Sequence, residues 1–205
     1  MTVIIDYHTG NLGSILNMIR KSGHEAVISD EMEVIKSATR IILPGVGSFD
    51  FGMHMLNTLG VVNVIRQKVL EDKTPILGIC LGAQLLCQSS EEGKMQGLGL
   101  IEARVVKFPS ASDGKKYPVP HMGWDHVKPA KTSRLMPPAE EVRRFYFVHS
   151  YCIQCRYATD VLAENTYSLR FHSAFEHENI LGVQFHPEKS HRFGKEIYKN
   201  FIEQY

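Results

Sequence analysis

The sequence has no uninterrupted apolar run of about 18 residues, so no membrane-spanning helix is expected. Charge of either sign is not in excess. Its 23 Lys and Arg stand against 22 Asp and Glu, a net charge of +1 that gives no electrostatic case for a nucleic-acid or membrane partner. Cysteine is scarce. Cys80, Cys87, Cys152 and Cys155 do not have the spacing of a disulfide framework. Cys152-Ile153-Gln154-Cys155 is formally C-x-x-C, but it lacks a second ligand pair and its neighbours read as a strand. Neither a zinc site nor a redox pair is expected there. No basic n-region precedes Val3-Ile4-Ile5, which argues against secretion, and a reducing cytoplasm fits this cysteine usage. After the first strand, Thr9-Gly10-Asn11-Leu12-Gly13 is not G-x-G-x-x-G, so a dinucleotide fingerprint is missing. His172, His177, His186 and His191 include no i, i+4 pair and no accompanying acidic cluster. No metal and no cofactor are expected.

What is present describes an ordinary globular chain of 205 residues, 43% hydrophobic and 22% charged, read as one domain over residues 1–205. Residues 1–90 alternate strands and helices. Strands are expected at Val3–Asp6, Ala26–Ser29, Ile41–Leu43 and Pro75–Cys80. Helices are expected at Asn11–Lys21, from a Ser29-Asp30 cap to about Lys36, and at Val61–Glu71. Repeated βαβ units predict a parallel sheet with right-handed crossovers and ligands beyond the C-terminal strand ends.

From Gly97 the pattern changes. A strand or strand pair is expected in Leu98–Phe108, a polar loop in Ser110–Lys116 and a short strand in Val119–Val127. Phe145–Tyr157 and Val161–Glu164 read as antiparallel strands. Ser173–Glu178 and Ile180–Gln184 read as a closing hairpin, and Gly194–Gln204 as a terminal helix. The fold class is therefore α/β: a mixed, mainly parallel central sheet with flanking helices, and antiparallel strands added by the C-terminal half.

Three stretches carry candidate chemistry. In Gly78-Ile79-Cys80-Leu81-Gly82 an apolar strand runs into a helix through a cysteine flanked by glycines. That is the cysteine form of a nucleophile elbow, whose tight turn has no room for a side chain at either glycine. The helix dipole behind it favours thiolate. By itself this cysteine is equally a small buried apolar residue. In Phe185-His186-Pro187-Glu188 another apolar strand ends in a histidine held extended by Pro187, with a carboxylate two residues on. Strand geometry sends both to the same side, giving a base and the group that orients it. A loop histidine beside a solvated glutamate has the same sequence. In Pro44-Gly45-Val46-Gly47 a strand ends in a glycine bend whose N–H groups suit an oxyanion hole, or merely turn the chain.

In combination and order, these stretches resemble the class I glutamine amidotransferases over essentially the whole chain. Within that family the chain resembles the glutaminase subunits of imidazole glycerol phosphate synthases. The narrower markers are Asp6-Tyr7 with Gly10-Asn11-Leu12, Ser89-Ser90-Glu91-Glu92-Gly93 and Gly97-Leu98-Gly99-Leu100. Others are Val119-Pro120-His121-Met122-Gly123-Trp124, Tyr146-Phe147-Val148-His149-Ser150 and His186-Pro187-Glu188-Lys189-Ser190. The resemblance implies that Cys80 attacks the glutamine carboxamide, His186 moves the proton and Glu188 orients His186. It implies oxyanion donors from Gly45, Val46 and Gly47 and from Leu81. Substrate contacts are implied from Gln84 and Glu92 and from the backbone of His149, Ser150 and Tyr151. Ammonia would pass by a tunnel to a (β/α)8-barrel cyclase subunit, held as a heterodimer through Trp124, Tyr146 and Lys189.

The sequence also departs from this pattern. His8-Thr9, Gly13 and Ala83 replace residues usual in the family. Arg144-Phe145-Tyr146-Phe147 and Ser190-His191-Arg192-Phe193-Gly194 resemble a second branch, which supplies ammonia for amidating surface-polysaccharide sugars. That acceptor is the alternative to histidine biosynthesis. A non-catalytic docking subunit and a Cys peptidase or deglycase on a similar sheet are further alternatives. The intact Cys80, His186 and Glu188 argue against the first of these, and Gln84 with the terminal His-Pro-Glu against the second.

Overall fold

The computed structural model describes residues 1–205. The first half runs β1 (Thr2–Ile5), α1 (Leu12–Lys21), β2 (Val27–Ser29), α2 (Met32–Lys36), β3 (Arg40–Leu43), α3 (Phe49–Thr58), α4 (Val62–Leu70), β4 (Ile76–Ile79) and α5 (Leu81–Leu85). The second half runs β5 (Ser89–Ser90), β6 (Ala103–Lys107), β7 (Ala111–Ser112), β8 (Lys115–Lys116), β9 (His121–Pro129), β10 (Arg143–His149), β11 (Tyr151–Cys155), β12 (Val161–Thr166), β13 (Arg170–His177), β14 (Ile180–Val183) and α6 (His191–Gln204). No helix is long and apolar enough to cross a membrane.

A 12-stranded sheet joins both halves in the order β10-β9-β12-β13-β14-β4-β3-β1-β2, with β11, β6 and β5 branching from β13. Neighbours from β14 to β2 are parallel, and the strands from β10 to β14 pair antiparallel. Fully buried apolar strands are what a parallel sheet covered on both faces requires. The side-chain period of two then divides each strand between two cores. Val3, Ile5, Ile41, Leu43 and Ile76 point into the core under α3 and α4. Ile4, Ile42, Leu77 and Ile79 point into the core that contains Ile15 and Ile19 of α1 and Ile197 and Phe201 of α6.

Register positions the site. Val183 lies opposite Ile79, and Leu43 opposite Gly78, so β14, β4 and β3 end side by side. The three stretches singled out in the sequence all leave the sheet at that edge.

Several boundaries differ from the sequence reading, each for a local reason. Ser29-Asp30 does not cap α2. Glu31 occupies that position without a side-chain bond, and Ser29 Oγ instead accepts from the Glu31 N–H at 3.0 Å. Helix α3 was not expected, because Gly52 weakens its propensity. It forms because its apolar face, Phe49, Gly52, Met53 and Leu56, is buried. Within Ser110–Lys116, β7 and β8 pair as a small hairpin. The expected strand Phe145–Tyr157 is two strands that change partners at Ser150: β10 pairs with β9, and β11 with β6 and β13. The terminal helix begins at His191, three residues before Gly194.

Candidate active site

At the elbow, Cys80 has φ 52° and ψ −109°, a region that L side chains enter only when the surroundings impose it. The surroundings here are explicit. Its N–H donates to the Val183 carbonyl at 2.8 Å, and its carbonyl accepts from the Gln84 N–H at 3.2 Å. A Cβ on Gly78 would lie 2.6 Å from Ala83 Cα, and one on Gly82 would lie 1.7 Å from the Leu43 carbonyl oxygen. Both glycines are needed for the steric reason expected. Cys80 is buried at 6% exposure, at the start of a helix whose first N–H groups have no partner within the helix.

His186 leaves β14 extended, at φ −103° and ψ 95°. Its N–H donates to the Tyr146 carbonyl at 2.9 Å, which ties it to β10. Its Nδ1 lies 2.7 Å from Glu188 Oε1, with both side chains buried. The pairing does not come from strand alternation, as the sequence suggested. Pro187–Lys189 form a 3-10 turn, and its tightness brings the carboxylate back to the ring. The other ring nitrogen, Nε2, is buried without a well-aligned hydrogen bond and faces the Cys80 sulfur. Burial pulls the His186 imidazole down. The Cys80 sulfur and the Glu188 carboxylate outweigh it and raise its pKa to about 10.

Cys80 and His186 open into a cavity of about 290 Å³. Val46, Gly47, Leu81, Gln84, Glu92, His149, Ser150 and Tyr151 also line it. Gly45 does not. It sits behind the wall, where a Cβ would fall 2.1 Å from the Tyr7 hydroxyl, which itself donates to the Pro44 carbonyl. Gly47 has φ +104°, a conformation that glycine adopts readily. Glu92 reaches the cavity from the loop after β5. Its Oε2 accepts from the Phe49 N–H at 2.8 Å, and Asp50 in return accepts from the N–H groups of Lys94 and Met95. This reciprocal clasp fixes the Glu92 loop to the first turn of α3.

A polar network lies beneath the cavity. Gln84 Nε2 donates to the Tyr151 carbonyl at 3.1 Å and to Gln184 Oε1 at 3.0 Å. The same carbonyl accepts from His149 Nδ1 at 2.8 Å, so His149 carries its proton on that nitrogen. His149 Nε2 is therefore the acceptor facing His121 Nδ1 at 3.1 Å. Burial, with the nearby rings of His121 and His186, lowers the His149 pKa to about 3 and keeps it neutral.

Trp124, Tyr146 and Lys189 come together on the surface, where Tyr146 is bridged to His186. The Trp124 and Tyr146 rings are 6.1 Å apart, and the Lys189 ammonium lies 5.5 Å from the Tyr146 ring centre. Cys152 and Cys155 lie on β11, and burial pushes both thiols up to about 12. A protonated thiol at neutral pH neither attacks nor binds metal readily. No group of three or more His, Cys, Asp or Glu side chains is placed to hold a metal ion.

Sequence reasoning assigned no role to Gln184, His121 or Tyr198. Gln184 and Tyr198 have no exposed area, and His121 has 6%. The available signal was a polar residue inside an otherwise apolar run, as in Val183-Gln184-Phe185.

The family described as Glutamine amidotransferase class-I matches residues 3–205. The chain is 50% identical over 204 residues to a Methanococcus maripaludis protein named imidazole glycerol phosphate synthase subunit HisH 2, covering 100% of both. It is 44% identical over 203 residues to a Pseudomonas aeruginosa protein of the same name, covering 99% of both. Among solved structures, one described as a glutamine amidotransferase superposes with a TM-score of 0.76 at 19% identity, over 98% of this chain and 97% of that one.

Proposed function

Because the chain belongs to the class I glutamine amidotransferase family, we propose that it is the glutaminase subunit of an imidazole glycerol phosphate synthase, acting as one domain. The relatives' full-length similarity and shared name support that acceptor over a surface-sugar pathway.

In this reading His186 Nε2 takes the Cys80 thiol proton, and the sulfur adds to the side-chain carboxamide carbon of glutamine. The oxygen that becomes anionic is stabilised by the Leu81 N–H and by N–H groups of the Val46-Gly47 bend. Gly45 shapes that bend from behind. His186 returns the proton to the departing nitrogen, ammonia leaves, and a γ-glutamyl thioester remains on Cys80. A water molecule, deprotonated by His186, then releases glutamate and regenerates the thiol. Glu188 orients the imidazole and stabilises its charged form. Gln84, Glu92 and the His149–Tyr151 backbone hold the amino acid. The observation that carries this reading is His186 itself. One ring nitrogen is fixed 2.7 Å from Glu188 and the other faces a cysteine in a strained elbow.

Released ammonia is mostly protonated in neutral water and is then no nucleophile. Direct delivery to an acceptor enzyme follows, and the relatives' names point to a cyclase subunit, here taken as a (β/α)8 barrel in a cytoplasmic heterodimer. Exposed Trp124 with Tyr146 and Lys189 is the surface assigned to it. Glutamate release is the test, measured with and without that cyclase. Cys80→Ala should abolish release while the melting temperature stays within a few degrees. Activity persisting in Cys80→Ala would refute the reading.

A further inference from the structure

Gln184 lies between Val183 at the end of β14 and Phe185, and it has no exposed area. A buried primary amide needs partners for two N–H bonds and one carbonyl. Its backbone is fixed by donation to the Ser173 carbonyl at 2.9 Å. Its side chain points to the reacting centre, with Nε2 3.8 Å from Cys80 Sγ.

The orientation of that amide follows from one unambiguous anchor. The Tyr151 backbone carbonyl can only accept, so the Gln84 atom 3.1 Å from it is the nitrogen. The same nitrogen is 3.0 Å from the Gln184 side chain, so the Gln184 atom there is the oxygen. The Gln184 nitrogen is thereby turned toward sulfur. Both hydrogens of Gln84 Nε2 are engaged in this chain, and Gln84 Oε1 is the atom left to meet a ligand.

We propose that Gln184 is a further catalytic residue, whose side-chain N–H donates to the Cys80 sulfur and favours its anionic form, and that Gln84 sets its orientation. No bond forms or breaks at Gln184. The thiol proton goes to His186, and Gln184 stabilises the sulfur lone pair left behind. A hydrogen bond to a charged acceptor is among the stronger kinds, and here donor and acceptor are both buried and already face each other. The inference uses the glutaminase reading only for the identity of the substrate. The contact with sulfur stands apart from it.

Two full-length variants and two assays separate these claims. Gln184→Met keeps length and volume but has no donor. Gln184→Glu keeps shape and turns a carboxylate oxygen toward sulfur. Iodoacetamide alkylation of Cys80 across pH reads the sulfur directly, whether or not glutamine is turned over. The expected result is a shift of the alkylation profile to higher pH in Gln184→Met and a larger one in Gln184→Glu. With glutamine, kcat should fall about 10- to 100-fold in Gln184→Met with KM changed by less than about threefold, the size expected for one charge-assisted hydrogen bond. A purely structural role would lower folded fraction and leave the alkylation profile of the folded protein in place. An unchanged profile in either folded variant overturns the proposal. A shifted profile in a protein that never hydrolyses glutamine sustains it and refutes the glutaminase reading instead.

Discussion

Gly194→Ala sets two effects of opposite sign against each other. Gly194 lies in the first turn of α6, and its N–H donates to the Ser190 carbonyl at 3.1 Å. Helix propensity alone favours alanine by about 1 kcal/mol. Packing opposes it. A Cβ at this position would lie 1.7 Å from the Pro187 carbonyl oxygen and 2.6 Å from its carbon. A carbon–oxygen contact relaxes at about 3.3 Å, so α6 and the 187–189 turn must separate by roughly 1.6 Å. The obstacle is backbone, and no rotamer change relieves it. Overpacking of this kind costs about 2–3 kcal/mol, which exceeds the propensity gain and leaves a net loss of about 1–2 kcal/mol. For a chain of this size that lowers the melting temperature by about 2–8 °C. The turn that must move carries Glu188, whose Oε1 is 2.7 Å from His186. A displacement near 1 Å costs about 100-fold in turnover. Thermal denaturation and glutaminase kinetics of the one variant check both figures. A raised melting temperature with unchanged kcat would refute the reasoning, because it would mean that α6 does not brace the turn that carries Glu188.

Stability should fall on the acid side of neutrality. The His149 pKa is lowered from 6.5 to about 3, by burial first and then by His121 and His186. The unfolded chain therefore binds the extra proton, and the contribution present above pH 6.5 is lost as pH falls toward 3. From pH 7 to 5 that amounts to about 2 kcal/mol, and His149→Asn should flatten the slope in denaturant titrations at the two pH values. His186 acts with the opposite sign. Its contribution is complete below pH 6.5 and disappears as pH rises through about 10. Tyr198→Phe should lower kcat about tenfold with little change in melting temperature. The Tyr198 phenol faces the Glu188 carboxylate, and Tyr198 Oη and Glu188 Oε2 are both buried without a well-aligned partner elsewhere or in each other. Unchanged kcat in Tyr198→Phe would show that Oε1 alone fixes the carboxylate.

The parallel part of the fold was legible because its signal is local. β1, β3 and β4 are short apolar runs closed by Asp6, Pro44 and the Cys80 turn, and their burial on both faces follows from composition. Helix α3 was not legible, because Gly52 sits inside it and its reason to form is tertiary. Gly52 lets Leu85 of α5 approach, and a Cβ there would be 3.0 Å from Leu85 Cδ1. The break of Phe145–Tyr157 into β10 and β11 was hidden for a similar reason. Both pieces have the alternation of one strand, and only the competition between β9 and β6 for partners decides where the chain leaves one for the other.

The site divides along the same line. Residue types and glycine spacing marked Cys80, His186 and Glu188, because a strained elbow and a proline-locked histidine leave a sequence trace. The network under the cavity leaves almost none, since amides and imidazoles in a strand read equally as surface. Gln184 is the instructive case. It lies two residues before His186, in the bend that follows β14. Its neighbours Val183 and Phe185 point instead into the apolar core. Once His186 is taken as the base, its place two residues away puts Gln184 beside the nucleophile. Register supplies the rest, because Val183 is bonded to the Cys80 N–H. A polar side chain forced to that spot without solvent must find a partner there, and sulfur is the acceptor within reach.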